Sequence, residues 1–235
     1  MGNIFAFFFL TIYMNPYLIA IIILVILFIF YCHVYVFLKT SNHYEILQIN
    51  APDPSSLEKL FMEKSPIVVT GLVDEWIGIN NIDQKYLKIQ PNPTKDKVVP
   101  KLLDQYTRNY HLPFRVSSWY NDSNYPKNTK LELKEVKTHR HLVTQLQGKV
   151  KYVLYHPGQK KYLYNGKVSF WKWNELSDQE KEKYKNFPKG QYIELYLSAG
   201  KILHLPKGWW YAVDIIEDSI QITIDSSSIF SIMVR

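Results

Sequence analysis

Three histidines have the residue type and spacing that a metal site could use. His139 and His141 are two residues apart, so on a β-strand both imidazoles would point to one face, and His204 lies on a later predicted strand. Imidazole nitrogens are common zinc ligands, and these three could bind zinc if the fold brought them together. The alternative is that each is an ordinary packing or surface residue. We favour this alternative, because a histidine on a strand more often packs or faces solvent than binds a metal.

The basic residues form a second group with possible chemistry. The net charge of +7 comes entirely from residues 39–235, because residues 1–38 contain no Lys, Arg, Asp or Glu. Many of the lysines fall between residues 149 and 189, and such a surplus could attract anionic lipid headgroups or nucleic acid. Without arginine clusters or a nucleic-acid motif, we interpret it as a solvated surface and predict no specific nucleic-acid partner.

The elements that must position these residues are mostly short strands. Residues 192–197, 201–205, 209–213 and 219–225 each predict a strand, and in the last one Ile220, Ile222 and Ile224 alternate with Gln221 and Thr223. Tight turns separate the four strands, a pattern typical of one wall of a small all-β barrel or jelly roll. Residues 57–64 predict a short helix. A capping box at residues 177–180 predicts a charged helix ending near residue 185.

The C-terminal strands also resemble a known family. The segment LSAGKILHLPKGWWYAV at residues 197–213 resembles the closing segment of the JmjC and cupin-like (Cupin_8) domains of iron(II)/2-oxoglutarate oxygenases; the matching residues are Gly200, Leu203, Pro206, Trp209 and Trp210. Two more blocks occur in the family's order, SPIVVTGL at 65–72 and HLVTQLQGKVKYVLYHP at 141–157. The resemblance covers most of residues 55–225. It implies a mainly β, double-stranded β-helix (jelly-roll, cupin-like) fold with a few short helices.

The same resemblance implies which residues occupy the family's functional positions. Iron in this family is bound by two imidazoles and one carboxylate. In this chain those positions fall on Glu135, Lys137 and Tyr211, and the position of the lysine that pairs with 2-oxoglutarate falls on Val150. A lysine repels a metal cation and a phenol binds iron(II) poorly. The resemblance therefore implies a degenerate member without catalytic, cofactor-binding or metal-binding residues, in which Glu135 and Lys137 could pair in the former metal site.

The N-terminal part of the chain predicts a membrane anchor. Residues 17–38 are 22 uncharged, mostly aliphatic and aromatic residues. A helix of that length is roughly 33 Å long and matches a bilayer core of roughly 30 Å. We predict a short apolar segment at 1–16, one transmembrane helix at 17–38, a polar linker at 39–54 and the JmjC/cupin-like domain at 55–235. Lys39 follows the helix and no positive charge precedes it, which favours a cytosolic domain.

The predicted function follows from both parts. We expect a single-pass membrane protein whose cupin-like domain has lost iron/2-oxoglutarate chemistry and serves as a binding or scaffolding module, with the membrane and a protein as its partners. No cofactor is expected. The alternative is an active iron(II)/2-oxoglutarate-dependent protein hydroxylase or demethylase, or another metal-dependent enzyme, with relocated ligands; only this alternative would require iron(II) and 2-oxoglutarate.

Overall fold

The computed structural model describes residues 16–38, 44–73 and 115–228. Residues 1–15 of the predicted apolar segment and residues 39–43 of the predicted linker lie outside this range, as do residues 74–114 and 229–235 of the predicted domain. The chain divides into two compact units, one holding the N-terminal helix and the other holding every strand.

Helix α1, Pro16–Leu38, makes up the first unit. It carries no acidic residue in its first turn and no basic residue in its last turn. Its apolar side chains face outward; Leu24 and Phe28, for example, are each 66% exposed. Across the described ranges, no helix meets the combined length and hydropathy requirement for crossing a membrane. The transmembrane helix at residues 17–38 therefore stays a prediction.

The described part of the second unit is mainly β, with ten strands in two sheets and two short helices. The strands are β1 Leu47–Asn50, β2 Ile67–Thr70, β3 Arg115–Tyr125, β4 Lys130–Glu135, β5 Arg140–Gln147, β6 Lys149–Tyr155, β7 Tyr192–Ser198, β8 Lys201–Pro206, β9 Trp210–Ile215 and β10 Ser219–Ser228. Helix α2 spans Pro54–Met62 and α3 spans Asp178–Lys183; short 3-10 turns lie at Pro157–Tyr162, Tyr164–Gly166, Trp173–Glu175 and Phe187–Lys189. The predicted mainly β fold with few helices is confirmed.

The two sheets have six and four strands. The large sheet has the order β1-β2-β8-β5-β10-β3 and the small sheet the order β4-β9-β6-β7. All neighbours pair antiparallel except β1 and β2. The arrangement is consistent with a cupin-like β-sandwich. Strand β1 lies inside the segment predicted as a linker, where Leu47 and Ile49 alternate with exposed Gln48 and Asn50.

The four C-terminal strands exist as predicted, but they do not form one wall. Strands β7 and β9 belong to the small sheet, whereas β8 and β10 belong to the large sheet. The chain therefore crosses between the sheets at each of the intervening turns. Strand alternation indicates which residues face a core, but it does not indicate which neighbouring strand supplies the hydrogen bonds.

Three apolar clusters hold the unit together. The largest lies between the sheets and includes Val143, Leu203 and Leu205 from the large sheet and Tyr152 and Val213 from the small sheet. A second cluster covers the outer face of the large sheet, where helix α2 packs through Leu57 and Phe61. A third covers the outer face of the small sheet beneath the segment at residues 157–189. Both faces of the central strands are thus buried, which explains why β8 is buried at five of its six residues.

Gly148 allows the chain to pass from β5 in the large sheet to β6 in the small sheet. Its φ is +79°, a left-handed conformation that residues with a Cβ adopt at a cost. A Cβ at this position would overlap the backbone oxygen of Asp218 and lie 2.7 Å from the Ser219 hydroxyl. Gly208 has a similar φ of +86°, but a Cβ there would meet only Pro157, at 3.4 Å.

We predict that Gly148→Ala destabilises the protein much more than Gly208→Ala. Both variants carry the backbone strain of about 1–2 kcal/mol, and only Gly148→Ala adds a steric overlap costing about 1–3 kcal/mol more. Urea unfolding followed by tryptophan fluorescence would measure the difference. Equal losses for the two variants would contradict the predicted close approach of Gly148 to Asp218.

Candidate functional site

Tyr211 lies on strand β9 and faces the apolar cluster between the sheets. Its partner across the strand pair is Lys134 of β4, while Glu135 lies opposite Trp210. Because Trp210 belongs to the cluster on the outer face of the small sheet, Glu135 points away from Tyr211. The register of β4 shifts between Leu131 and Lys134, where one extra residue is accommodated on β4. This bulge makes Lys134 the neighbour of Tyr211.

Tyr211 begins a chain of hydrogen bonds that crosses from the small sheet to the large sheet. Its hydroxyl lies 3.1 Å from Nε2 of His141 on β5, and Nδ1 of the same imidazole lies 2.7 Å from Oδ1 of Asp225 on β10. The Thr138 hydroxyl donates to the same carboxylate oxygen over 2.7 Å. Tyr211 and His141 are buried, whereas the Asp225 side chain is 32% exposed. We call Tyr211, His141, Asp225 and Thr138 the interior polar network.

The ionisation of the network follows from its surroundings. Burial raises the pKa of Tyr211, so its phenol is neutral. Burial alone would also raise the pKa of Asp225, but the hydrogen bond and charge of His141, with help from Thr138 and Lys134, lower it overall. The ionised carboxylate only accepts, so His141 donates Nδ1–H to Asp225. The other ring nitrogen, Nε2, is the one that the Tyr211 hydroxyl contacts.

Lys134 adds a positive charge next to this network. Its ammonium nitrogen lies 4.9 Å from the centre of the Tyr211 ring, within the range of a cation–π contact. Burial of the charged end lowers the pKa of Lys134, and the nearby Asp225 opposes that shift. Lys134 as a whole residue is nonetheless exposed. At Tyr211, one of the positions that the resemblance implies for metal binding, the structure thus has a neutral phenol, an imidazole with partners at both nitrogens, and a cation.

The other residues implied by the family resemblance lie elsewhere. Glu135 accepts a hydrogen bond from the ammonium group of Lys160 at 3.1 Å, so this pair replaces the Glu135–Lys137 pair that the sequence suggested. Lys137 is exposed. Val150 is fully buried in the same cluster as Tyr211, as expected for a position that faces the interior. Of the three positions implied for metal binding, the structure brings only Tyr211 into the space between the sheets.

The three histidines suggested as a relocated metal site do not converge. Residues directly opposite each other on neighbouring strands share a face. His141 lies opposite Leu205, whereas His204 lies opposite Leu142, so His141 faces the interior and His204 faces the outer surface of the large sheet. His139 precedes β5 and is not part of a strand. Within the described residues, no three His, Cys, Asp or Glu side chains are grouped to hold a metal ion.

His139 and His204 instead share a positively charged environment. Burial, and then the cations Arg140, Lys64 and Lys207, lower the pKa of His139 to about 4. Burial and the nearby Arg140 likewise hold the pKa of His204 well below its usual value. Both imidazoles are therefore neutral at physiological pH.

Asp225, Thr138 and Lys134 were not predicted from the sequence as members of the site. Asp225 follows Gln221 and Thr223 in the polar alternation of β10, and this alternation was the available signal. The polar face of β10 points into the interior, where Gln221 donates to Gln145 over 2.8 Å. No such alternation indicated that Lys134 belongs to the site, because the side to which Lys134 points depends on the bulge in β4.

Comparison with known proteins supports the family resemblance. Residues 115–226 match a family model described as a cupin-like domain. This match covers strands β3 to β10 up to Ser226, which include the whole small sheet and every residue of the interior polar network. No curated protein matches the chain.

The side chains at this site do not fit the family's metal. A facial set of two imidazoles and one carboxylate is required. Here the imidazole of His141 contacts the Tyr211 hydroxyl, and the Lys134 ammonium lies over the Tyr211 ring. Lys134 would repel a divalent cation, and both ring nitrogens of His141 already have partners among the described residues. The network can hold and relay a proton, and it can join the two sheets.

We predict that Tyr211→Phe destabilises the protein by about 1–3 kcal/mol, because it leaves the buried Nε2 of His141 without its partner. Tyr196→Phe is a matched control, because Tyr196 is 49% exposed and its loss should change the free energy of unfolding by less than about 0.5 kcal/mol. Chemical denaturation of both variants makes the comparison. If Tyr211→Phe is as stable as Tyr196→Phe, the hydrogen bond between Tyr211 and His141 is absent in solution.

Proposed function

We propose that this protein is a single-pass membrane protein whose cupin-like domain acts as a binding or scaffolding module and does not perform iron/2-oxoglutarate chemistry. The observation that carries this proposal is the interior polar network. Tyr211 occupies the position of a metal-binding histidine in the related family, and its hydroxyl is 3.1 Å from His141. The side chains of this site already hydrogen-bond to one another, so binding a metal there would gain little free energy.

The electrostatics of the site support the same proposal. Iron(II) needs anionic or neutral donor atoms that turn their lone pairs toward one point. Here the nearest carboxylate, Asp225, is engaged by His141 and Thr138, and the ammonium of Lys134 stands over Tyr211. The position of the co-substrate lysine is Val150, which is fully buried and uncharged. These residues do not supply the charges that iron(II) or the dicarboxylate co-substrate requires.

A binding or scaffolding role suits the remaining features. The space between the sheets is lined by apolar side chains and by hydrogen-bonded Gln145 and Gln221, so we expect partners to bind the outer surfaces of the domain. Protein partners are the expected ligands for such a surface. The residues carry no sign of a specific nucleic-acid motif.

Membrane anchoring rests on helix α1. Residues 1–38 contain no Lys, Arg, Asp or Glu, and the apolar side chains of α1 are exposed over residues 17–31. Exposed contiguous apolar surface of this kind is unfavourable in water and favourable in lipid. Lys39 at the end of the helix favours a cytosolic location for the β domain.

We predict that the full-length protein, purified in neutral detergent and incubated with iron(II), oxygen and 2-oxoglutarate, releases no succinate above the background. An active oxygenase assayed in parallel serves as the positive control, and elemental analysis measures the bound iron. We expect iron far below one equivalent per chain. One equivalent of iron together with succinate formation would favour the alternative of an active enzyme with relocated ligands.

A second prediction concerns the anchor. Leu24→Lys combined with Leu27→Lys should release the expressed protein from membranes, because each lysine at the centre of a spanning helix costs about 3 kcal/mol. Leu24→Ala combined with Leu27→Ala should stay in the membrane fraction after alkaline carbonate washing. Wild-type protein that washes off with the peripheral proteins would refute the anchor and leave the proposal about the β domain standing.

A further inference from the structure

Strand β7 forms one edge of the small sheet. In the order β4-β9-β6-β7, the residues that the structure describes pair β7 with β6 on one side and place no strand on its other side. Every second residue of an edge strand points its N–H and C=O groups away from its own sheet, where another strand can bond to them. Since β6 separates β7 from β9, this edge is distinct from the interior polar network.

The edge at β7 lacks the features that commonly prevent an edge strand from pairing. Its seven residues pair with β6 in an uninterrupted register, and Tyr192–Ser198 contains no Pro and no Lys. Monomeric proteins often protect an edge with such residues or with a bulge. Strand β4, the opposite edge of the same sheet, has both a register shift and the exposed Lys130 and Lys134. Of these two edges, β7 is therefore the one suited to pairing with another strand.

The two faces of β7 differ in character. On the outer face, Tyr192 and Tyr196 are 48% and 49% exposed, and Glu194 between them is also exposed. On the inner face, Leu195 and Leu197 belong to the apolar cluster between the sheets. A strand that pairs with β7 must therefore match an apolar row on one face and an aromatic and acidic row on the other.

Two lysines of β6 lie beside the aromatic and acidic row. Lys151 forms an ion pair with Glu194 at 2.7 Å, and its ammonium nitrogen is 6.0 Å from the centre of the Tyr196 ring. The ammonium nitrogen of Lys149 is 5.3 Å from the centre of the same ring. In the described part of the chain, no carboxylate pairs with Lys149. The surface around Tyr196 thus has two cations and one carboxylate, which leaves one positive charge for a second carboxylate to balance.

We propose that β7 pairs antiparallel with β7 of a second copy of this chain, about a two-fold axis at Leu195. In this register Glu194 of each copy lies opposite Tyr196 of the other, so its carboxylate approaches the two ammonium groups beside that ring. Leu195 lies opposite its own counterpart and Ile193 lies opposite Leu197, which continues the apolar row. An axis at Glu194 would instead place two carboxylates directly opposite each other, which is unfavourable.

A second copy suits this edge because the edge carries its own complement. The carboxylate and the unbalanced cation lie on the same surface, and a two-fold axis uses each of them twice. Contact between two seven-residue strands is small, and small interfaces are typical of reversible association. The inference does not rest on the proposed function, because pairing at β7 is independent of whether the interior binds a metal. Its failure would leave that proposal standing.

The first experiment measures the mass of the full-length protein in neutral detergent by sedimentation equilibrium at several protein concentrations. We expect a reversible equilibrium between monomer and dimer. Glu194→Lys should weaken dimerisation roughly tenfold, because it places like charges beside Tyr196 at two positions in each dimer. Glu182→Lys is the matched control, since it also removes an exposed ion pair, with Lys185, but lies outside β7. Melting temperatures verify that both variants are folded, and helix α1 is the same in all of them.

An exchange of charges between two variants tests the contact directly. Lys149→Glu should also weaken the dimer, because the new carboxylate meets Glu194 of the other copy. Mixing Lys149→Glu with Glu194→Lys should restore dimers that contain one chain of each kind, since opposite charges then meet at both contacts. Different affinity tags on the two chains measure this mixed dimer by co-purification.

Cysteine cross-linking tests the antiparallel register. Cys32→Ser removes the only native cysteine, and Tyr192→Cys and Ser198→Cys are then introduced into separate chains. Positions 192 and 198 of different copies lie opposite each other in the proposed dimer, whereas two copies of either position lie at opposite ends of the paired strands. A short thiol-specific reagent should therefore cross-link the mixture and not either variant alone.

Three results would overturn the proposal. The first is a wild-type protein that stays monomeric at every concentration. The second is a dimer that Glu194→Lys weakens no more than Glu182→Lys does, which would assign the contact to another surface such as helix α1. The third is cross-linking of Tyr192→Cys or Ser198→Cys alone that is as efficient as cross-linking of the mixture.

Discussion

The hydrogen-bond chain from Tyr211 through His141 to Asp225 is the interaction on which the interior of the β domain depends. It joins a strand of the small sheet to two strands of the large sheet. A polar side chain sealed between two sheets is tolerated only when its hydrogen bonds are satisfied. Each member therefore positions the next one: the ionised carboxylate orients the imidazole, and the imidazole holds the hydroxyl of the neutral phenol at hydrogen-bond distance.

Two successive residues of strand β5 have different surroundings. Arg140 faces outward to the Phe61 ring of helix α2, and His141 faces inward to the interior polar network. Because side chains on a strand alternate with a period of two, a slip of one residue would exchange them. Such a slip would bury a guanidinium among the apolar residues between the sheets and break the link to Asp225. The register of β5 is thus specified by polar residues as well as by its apolar ones.

Much of the fold could be predicted from the sequence, because its signals are local. The alternation of Ile220, Ile222 and Ile224 predicted β10, and the Ser177–Glu180 capping box predicted α3; the structure has both, with the hydroxyl of Ser177 accepting from the Glu180 N–H at 3.4 Å. The assignment of strands to sheets was not predictable in this way. It depends on turns such as that at Gly148, whose crossing direction is set by long-range pairing.

The candidate site was less predictable for a specific reason. The family resemblance assigns Tyr211 to a metal-binding position, and Tyr211 does face the interior, on a strand that pairs regularly with β6 and follows the buried Trp209. On β4 the same reasoning failed, because a bulge between Leu131 and Lys134 reverses the faces of the residues that follow. One inserted residue turned Glu135 toward Lys160 and Lys134 toward Tyr211. Irregular pairing of this kind has no reliable sequence signal.

If the domain lacks the family's metal, as we propose, the charges around Asp225 can replace part of that metal's structural role. In a metal site, a divalent cation holds carboxylate and imidazole donors from several strands together. Here a single carboxylate, Asp225, is balanced by the ammonium of Lys134, and each is among the groups that shift the other's pKa. The imidazole between Asp225 and Tyr211 makes the connection between strands that the metal would otherwise make. The residues that match the family, such as Gly200, Pro206 and Trp209, shape turns and fill the core. They therefore preserve the scaffold independently of any metal.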